Sequence, residues 1–352
     1  HGRLLHGSST PYDPRLRSRL VAALPPAPTT FAEMCELDTL IGQAFAEVAA
    51  SVAEQVGGVQ AICSHGQTVY HWVEDDHALG TLQIGQPAWI AERVGVPVIS
   101  DVRVRDLTVG GHGAPLVSLL DELLMRGHDA PVAALNLGGI SNVTVIENGR
   151  VRAWDIGPAN ALMDAVVVAE ALDRAGYDTD ARLARSGRID DELLDQLLAD
   201  PYYALEPPKS TGKEHFHLDY LREQQDLLGR QLAPADLIAT LAELTVRTVA
   251  HDIAAHGVEV LAVSGGGAHN PVIMEGLTRA LPGVRVTTTD RLGAPADTKE
   301  AILFALIGWH TLHGLPGVVP GGTGAEEPRV LGTITPGREP LRLPTPQRGP
   351  IE

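Results

Sequence analysis

Asp155 closes a short apolar run, RVRAWD at 150–155, and is followed by Ile156-Gly157-Pro158-Ala159-Asn160, residues that turn a strand into a helix. A carboxylate held there by a rigid Gly-Pro turn is placed to act as a general base, although by itself a turn-capping role suits it equally. In NLGGISN at 136–142, Gly138 and Gly139 permit a bend whose N–H groups can converge on phosphate oxygens, and Asn136 and Asn142 add amides. A plain hairpin turn reads just as well. In SGGGAHN at 264–270, Gly265, Gly266 and Gly267 follow an apolar strand, and Asn270 can cap the next helix. Three glycines in a row cost about 0.5–1 kcal/mol each relative to Ala, which a flat ring lying against the backbone would justify. His65, Gln67 and Thr68 form a polar triplet suited to a polyhydroxylated ligand, while His65 alone fits a structural histidine more readily. Arg103, Arg105 and Asp106 lie in the glycine-rich stretch 101–115. A guanidinium fork matches carboxylate or phosphate, and a surface ion-pair loop fits equally.

Other chemistries are excluded. STGKE, with Lys213, lacks both the upstream Gly spacing and the following Ser/Thr of a nucleotide-binding Walker loop. No GxGxxG opens a helix, no HExxH occurs, and Ser264 is not framed as GxSxG. With 27 Lys+Arg against 44 Asp+Glu, the net charge of -17 argues against a duplex or membrane-surface binder. The 352 residues allow one large domain or two medium ones, and 44% hydrophobic with 20% charged residues is ordinary for a globular enzyme. The 37 Gly and 25 Pro follow no period, so the excess serves particular turns. Cys35 and Cys63 show no metal spacing and read as two reduced, buried thiols. No apolar run approaches the roughly 18 residues of a membrane span, and a cytoplasmic protein is expected.

The elements that must position these residues alternate. Runs at 61–68, 132–142 and 260–270 share one plan, an apolar strand ending in glycines, and α/β sheets bind ligands at such ends. Helical periodicity covers 159–175 (Leu162, Ala165, Val166, Ala169, Leu172) and 237–254 (Leu237, Leu241, Leu244, Val246, Val249). An α/β fold with substantial parallel pairing follows. Strands 132–137, 142–146 and 150–155, with an Asn148-Gly149 turn between the last two, lead into a helix capped by Asn160. The front offers a partial copy: a strand at 2–9, a turn at Pro11–Pro14 and a helix at 15–24. If the halves are duplicated, two strands and a glycine turn should precede residue 1, about 30 residues in all. Further helices are expected at 33–56, 87–93, 116–126 and 299–313, a strand at 97–100, and loops at 205–216 and in the tail.

Taken together and in order, SHGQT (64–68), GGHGAPLV (110–117), NLGGISNV (136–143), WDIGPANALMDA (154–165), PKSTGKEHF (208–216) and VSGGGAHN (263–270) resemble the anhydro-N-acetylmuramic acid kinases, and the likeness runs on to LGTITPG at 331–337. The resemblance implies two duplicated α/β lobes of the ribonuclease H-like, actin-like ATPase type around a nucleotide cleft. The N-terminal lobe would be 1–130, joined by the tail 325–352, and the C-terminal lobe 131–324. It implies an ATP- and Mg2+-dependent kinase of peptidoglycan recycling that adds water across the 1,6-anhydro bond and phosphorylates the sugar 6-oxygen, giving N-acetylmuramate 6-phosphate and ADP. Asp155 matches the catalytic base. Asn136, Gly138, Gly139 and Asn142 match a phosphate loop, and Gly265, Gly266, Gly267 and Asn270 the adenosine side. His65, Gln67, Arg103 and Asp106 fall on sugar-site segments. The metal ligands stay unassigned, and a homodimer is compatible.

Three departures stand out. His112 replaces the family's usual Gln, Val102 replaces its Phe, and the glycine-rich first phosphate hairpin is not found in these 352 residues. Two rival readings therefore remain: a non-catalytic sugar- or nucleotide-binding pseudokinase, and another sugar kinase of the superfamily.

Overall fold

The structure is a computed structural model that describes residues 2–74, 77–128, 130–148, 150–207, 209–212 and 215–346. Gly149 of the expected turn, and Pro208, Lys213 and Glu214 of the 208–216 motif, lie outside these residues. The chain forms two compact units, one of residues 1–120 with 300–352 and the other of 121–299.

In the first unit α1 (Pro14–Ala22) starts at Asp13, whose carboxylate accepts from the Arg15 and Leu16 amides, and α2 (Phe31–Gln55) starts at Thr30, which accepts from Glu33. β1 (Ile62–Cys63) leads to a hairpin of β2 (Gln67–Glu74) and β3 (His77–Ile84), then to α3 (Pro87–Val94) and β4 (Val98–Ser100). One turn, α4 (Val104–Leu107), interrupts the glycine-rich loop, and α5 (Ser118–Leu124) carries the chain into the second unit. Leu20, Leu37, Ile41, Val69 and Ile84 form one core cluster, and Ala46, Ile90, Ala91 and Val98 another.

The expected strand at 2–9 is absent. Residues 2–12 make no ladder and are mostly exposed, because a strand exists only through pairing and no strand of this unit pairs with them. The β2–β3 hairpin escaped the sequence reading because Tyr70, Trp72, Val73, Leu79 and Leu82 are all exposed, which blurs the alternation of a half-buried ribbon. Cys35 lies exposed on α2, correcting the expectation of a buried thiol there, whereas burial pushes the Cys63 thiol up to about 12.

The second unit centres on one sheet, in which β5 (Val132–Leu137), β6 (Ile140–Glu147) and β7 (Arg150–Pro158) form an antiparallel meander. There follow α6 (Asn160–Ala169), α7 (Arg182–Ser186), α8 (Asp191–Leu198), α9 (Leu218–Leu228), α10 (Pro234–Ala254), β8 (Val260–Ser264), α11 (Pro271–Ala280) and β9 (Arg285–Thr288). Strand order is β7-β6-β5-β8-β9, with β8 parallel to β5 and β9 parallel to β8, the ribonuclease H-like arrangement that the resemblance implied. Leu135, Leu137, Val143, Trp154 and Val263 meet α6 and α10 in the main core, through Leu162, Val166, Leu241 and Val249 among others. α12 (Lys299–Leu312) and β10 (Thr333–Thr335), antiparallel to β4, complete the first unit's sheet of β1, β4 and β10.

The units repeat one order of elements. A long helix, a strand, a short helix and a second strand parallel to the first appear as α2, β1, α3, β4 and again as α10, β8, α11, β9.

Candidate active site

Register places a polar row across the second unit's sheet. Asp155 lies opposite Asn142, Asn142 opposite Asn136, and Asn136 opposite Ser264, so four neighbouring strands present these residues on one face. The next row on that face is small: Ala153, Thr144, Ala134 and Ala262. A polar row backed by small residues leaves the strand ends approachable by a charged, bulky ligand.

Asp155 is half-buried and held at several points. Its Oδ2 accepts from the Ser210 hydroxyl at 2.8 Å and the Thr211 amide at 3.1 Å. Its backbone N–H donates to Lys209 O at 3.0 Å, and its carbonyl accepts from the Tyr202 hydroxyl at 2.7 Å. A bulge follows, with Ser141 opposite Gly157 and Asn142 opposite Asp155. Glycine is required at 157 because a Cβ would sit 2.7 Å from the Tyr203 ring.

The glycine turns divide by cause. At Gly265, which has φ of 80°, a Cβ would meet Asn136 Oδ1 at 2.6 Å, and at Gly267 one would meet the Leu137 Cβ at 2.6 Å. Packing against the end of β5 alone accounts for these two. Gly266 is different: only Asn160 Nδ2, at 3.6 Å, approaches its missing Cβ, so its face is open to a flat ring. Gly138 is similarly uncrowded. The carbonyls of Gly138 and Gly139 accept from the amides of Ala159, Asn160 and Ala161, so this turn also caps α6. Asn160 is therefore the first helical residue and not the cap, and its side chain donates to Leu137 O at 3.1 Å. Asn270 caps α11 as expected, its Oδ1 accepting from Val272 and Ile273. Open glycine faces and neutral amides suit a nucleotide. Among the described residues no three His, Cys, Asp or Glu side chains gather as a metal cage. Mg2+ bound mainly through substrate phosphates and one or two carboxylates needs no such cage.

In the first unit the predicted residues form a linked loop network. Arg103 Nε donates to His65 Nε2 at 2.8 Å, and Nη1 donates to Gly113 O. That contact fixes the tautomer: His65 accepts at Nε2 and donates from Nδ1 to Gly66 O, 2.9 Å away. Burial, with the Arg103 charge behind it, lowers the His65 imidazole to about 4, so the ring is neutral at physiological pH and stacks on Phe304 with 4.5 Å between centroids. Burial likewise lowers Arg103 below its ordinary value, opposed by Glu300. Gln67 accepts from Tyr12 Oη and donates to Thr68 O. Asp106 is 0% exposed and serves the loop, its Oδ2 accepting from the Gly113 amide and its Oδ1 from the Thr323 hydroxyl, each at 2.8 Å. Burial raises its carboxyl above the usual range. Arg105 is exposed. Of the two substituted positions, Val102 is a core residue at 1% exposure, a change of packing only, and the His112 amide donates to Thr323 O.

Two groups of residues went unrecognised in the sequence. Ser210 and Thr211 lie within the 208–216 motif, whose sequence gives no sign that they reach Asp155. Lys299 and Asp121 form an ion pair at 2.6 Å, both at most 5% exposed, and Lys299 Nζ also donates to Ser264 Oγ at 3.3 Å. No local pattern joins positions so far apart in the chain.

The sequence model described as anhydro-N-acetylmuramic acid kinase matches residues 2–337. A Streptomyces coelicolor protein of that description is 54% identical over 97% of this chain and 88% of its own length. Counterparts from Streptomyces avermitilis and Rhodococcus erythropolis are 51% and 48% identical, covering 96% and 95% of this chain and 87% and 86% of theirs.

Proposed function

The chain belongs to the anhydro-N-acetylmuramic acid kinase family, and from that premise we propose that it converts 1,6-anhydro-N-acetylmuramate, water and ATP to N-acetylmuramate 6-phosphate and ADP in peptidoglycan recycling. The observation that carries this reading is Asp155 at the end of the polar row, fixed by hydrogen bonds at its backbone and at Oδ2.

Asp155 is the general base. Its carboxylate takes a proton from the water that attacks the anomeric carbon, the bond from that carbon to the 6-oxygen breaks, and the freed oxygen becomes the nucleophile for the γ-phosphoryl group. Bound ATP supplies that group, and Mg2+ would neutralise charge on its phosphates. The amides of Asn136 and Asn142 orient the phosphates, and Gly138 and Gly139 keep their approach unobstructed. Gly266 offers its open face to the adenosine, and Asn270 supports that turn by capping α11. In the first unit Arg103 binds the sugar's carboxylate, His65 holds Arg103 in place, and Gln67 lies on the same sugar segment. Asp106 contributes by shaping the loop that presents Arg103. Water labelled with 18O tests the order of bonds. The label should enter the anomeric hydroxyl of the product and not the phosphate. Label in the phosphate would overturn this order of bonds, and no sugar-dependent ADP would remove the reading and favour a binding module.

A further inference from the structure

Residues 209–212 do more than cover an edge. β7 is the outer strand of its sheet, and the bond from Asp155 N to Lys209 O lays this segment along it. The far end is anchored independently. Phe216 is 1% exposed, His215 Nε2 lies 3.0 Å from Asp200 Oδ2, and Tyr202, two residues beyond Asp200, donates to the Asp155 carbonyl. Between those anchors Ser210 Oγ and Thr211 N both point at one carboxylate oxygen, Asp155 Oδ2.

We propose that Ser210, with the Thr211 amide, is the positioning pair for Asp155, fixing the plane of its carboxylate and holding it ready to accept a proton from water. This rests on the reading of Asp155 as the base. A carboxyl torsion is broad unless something fixes it, and two donors on one oxygen both fix it and favour the charged form. The charged and titratable groups described around Asp155 include Lys209, Asp252 and Tyr202. The Lys209 ammonium sits over the Tyr202 ring, 5.1 Å from its centroid. Asp252 accepts from Trp154 Nε1 at 2.8 Å. Tyr202 is pushed above its usual range by burial, then by Asp155 and Asp252, so it remains a protonated donor to the backbone carbonyl.

Ser210 is exposed, so deleting its hydroxyl opens no cavity, and the Lys209 and Phe216 anchors survive. The test compares Ser210→Ala, Ser210→Thr and Asp155→Asn in full-length protein with ATP and the anhydro sugar. Ser210→Ala should lower kcat about tenfold, leave both KM values within about twofold, and move the acid limb of the kcat profile to higher pH by about one unit. Ser210→Thr, which keeps a hydroxyl, should restore both. Wild-type kcat and acid limb in Ser210→Ala, or a loss that Ser210→Thr does not rescue, would overturn the proposal. If Asp155→Asn stays active, the assignment of the base itself fails; if it is inactive while Ser210→Ala matches wild type, only the positioning pair fails.

Discussion

In the second unit the candidate site residues come from neighbouring strands, with Asp155, Asn142 and Asn136 in register across the sheet and Ser264 buried beside them. In the first unit they come from loops around a much shorter sheet, and His65, Arg103 and Asp106 are held by one another, by Gly113 and by Thr323. A sheet fixes its Cα positions through the backbone ladder, so a polar row needs support only at single side chains, as Ser210 and Thr211 give Asp155. A loop has no ladder, so part of its polar equipment must be buried as scaffold, and Asp106 is that part. The difference predicts that substitutions in the row act on chemistry, whereas those in the buried part of the loop act first on stability.

The largest effect sharpens the first half of this contrast. Asp155→Asn should reduce turnover by at least about 10²-fold, as expected for loss of a general base. Sugar binding by calorimetry and the melting temperature should stay near wild type, and a variant with full activity would break the contrast at its strongest point. Next come the glycines. Gly267→Ala drives a Cβ into Leu137 and should cost about 2–3 kcal/mol of stability by overpacking. Gly266→Ala meets no such wall and should leave the melting temperature unchanged while raising the KM for ATP. Equal melting curves for the two would show that packing does not distinguish them.

These glycines also show how far the sequence could be read. Their presence after an apolar strand marked a turn correctly, but a run of letters cannot say that Gly265 and Gly267 abut β5 while Gly266 does not. Local signals were legible where a residue's partner lies within a few positions, as with Asn270 on the Val272 and Ile273 amides. The meander 132–158 was legible because alternation and a Gly-Gly turn are local too. Asn160 was misread as a cap because the carbonyls that satisfy the start of α6 come from Gly138 and Gly139, on a different turn. The segment 2–9, GRLLHGSS, has two Gly and no β-branched residue, and it lacks the neighbours of a strand as well. Ser210 on Asp155 and Lys299 on Asp121 are long-range pairings, visible only once the chain is folded.

Two smaller effects probe the loop. Thr323→Val removes the hydroxyl that satisfies buried Asp106 Oδ1 and should cost about 1–2 kcal/mol. Arg103→Gln should instead raise the KM for the sugar more than it lowers the melting temperature. If Thr323→Val left stability intact, Asp106 would not be scaffold.

The smallest effect is a pH dependence. His65 titrates near 4 in the folded chain because burial, with Arg103 behind it, disfavours the charged ring, while the unfolded chain takes up the proton at the ordinary value of about 6.5. The unfolded state therefore binds more protons between those limits. The stability that the neutral ring contributes is complete above pH 6.5 and is lost as pH falls toward 4. With the ring only partly shielded from solvent, the loss should be about 1–2 kcal/mol. His65→Gln keeps an acceptor for Arg103 Nε and has nothing to titrate, so its melting temperature should fall less than wild type between pH 7 and pH 4.5. Parallel falls in the two proteins would mean that His65 does not bear this part of the loop's acid sensitivity.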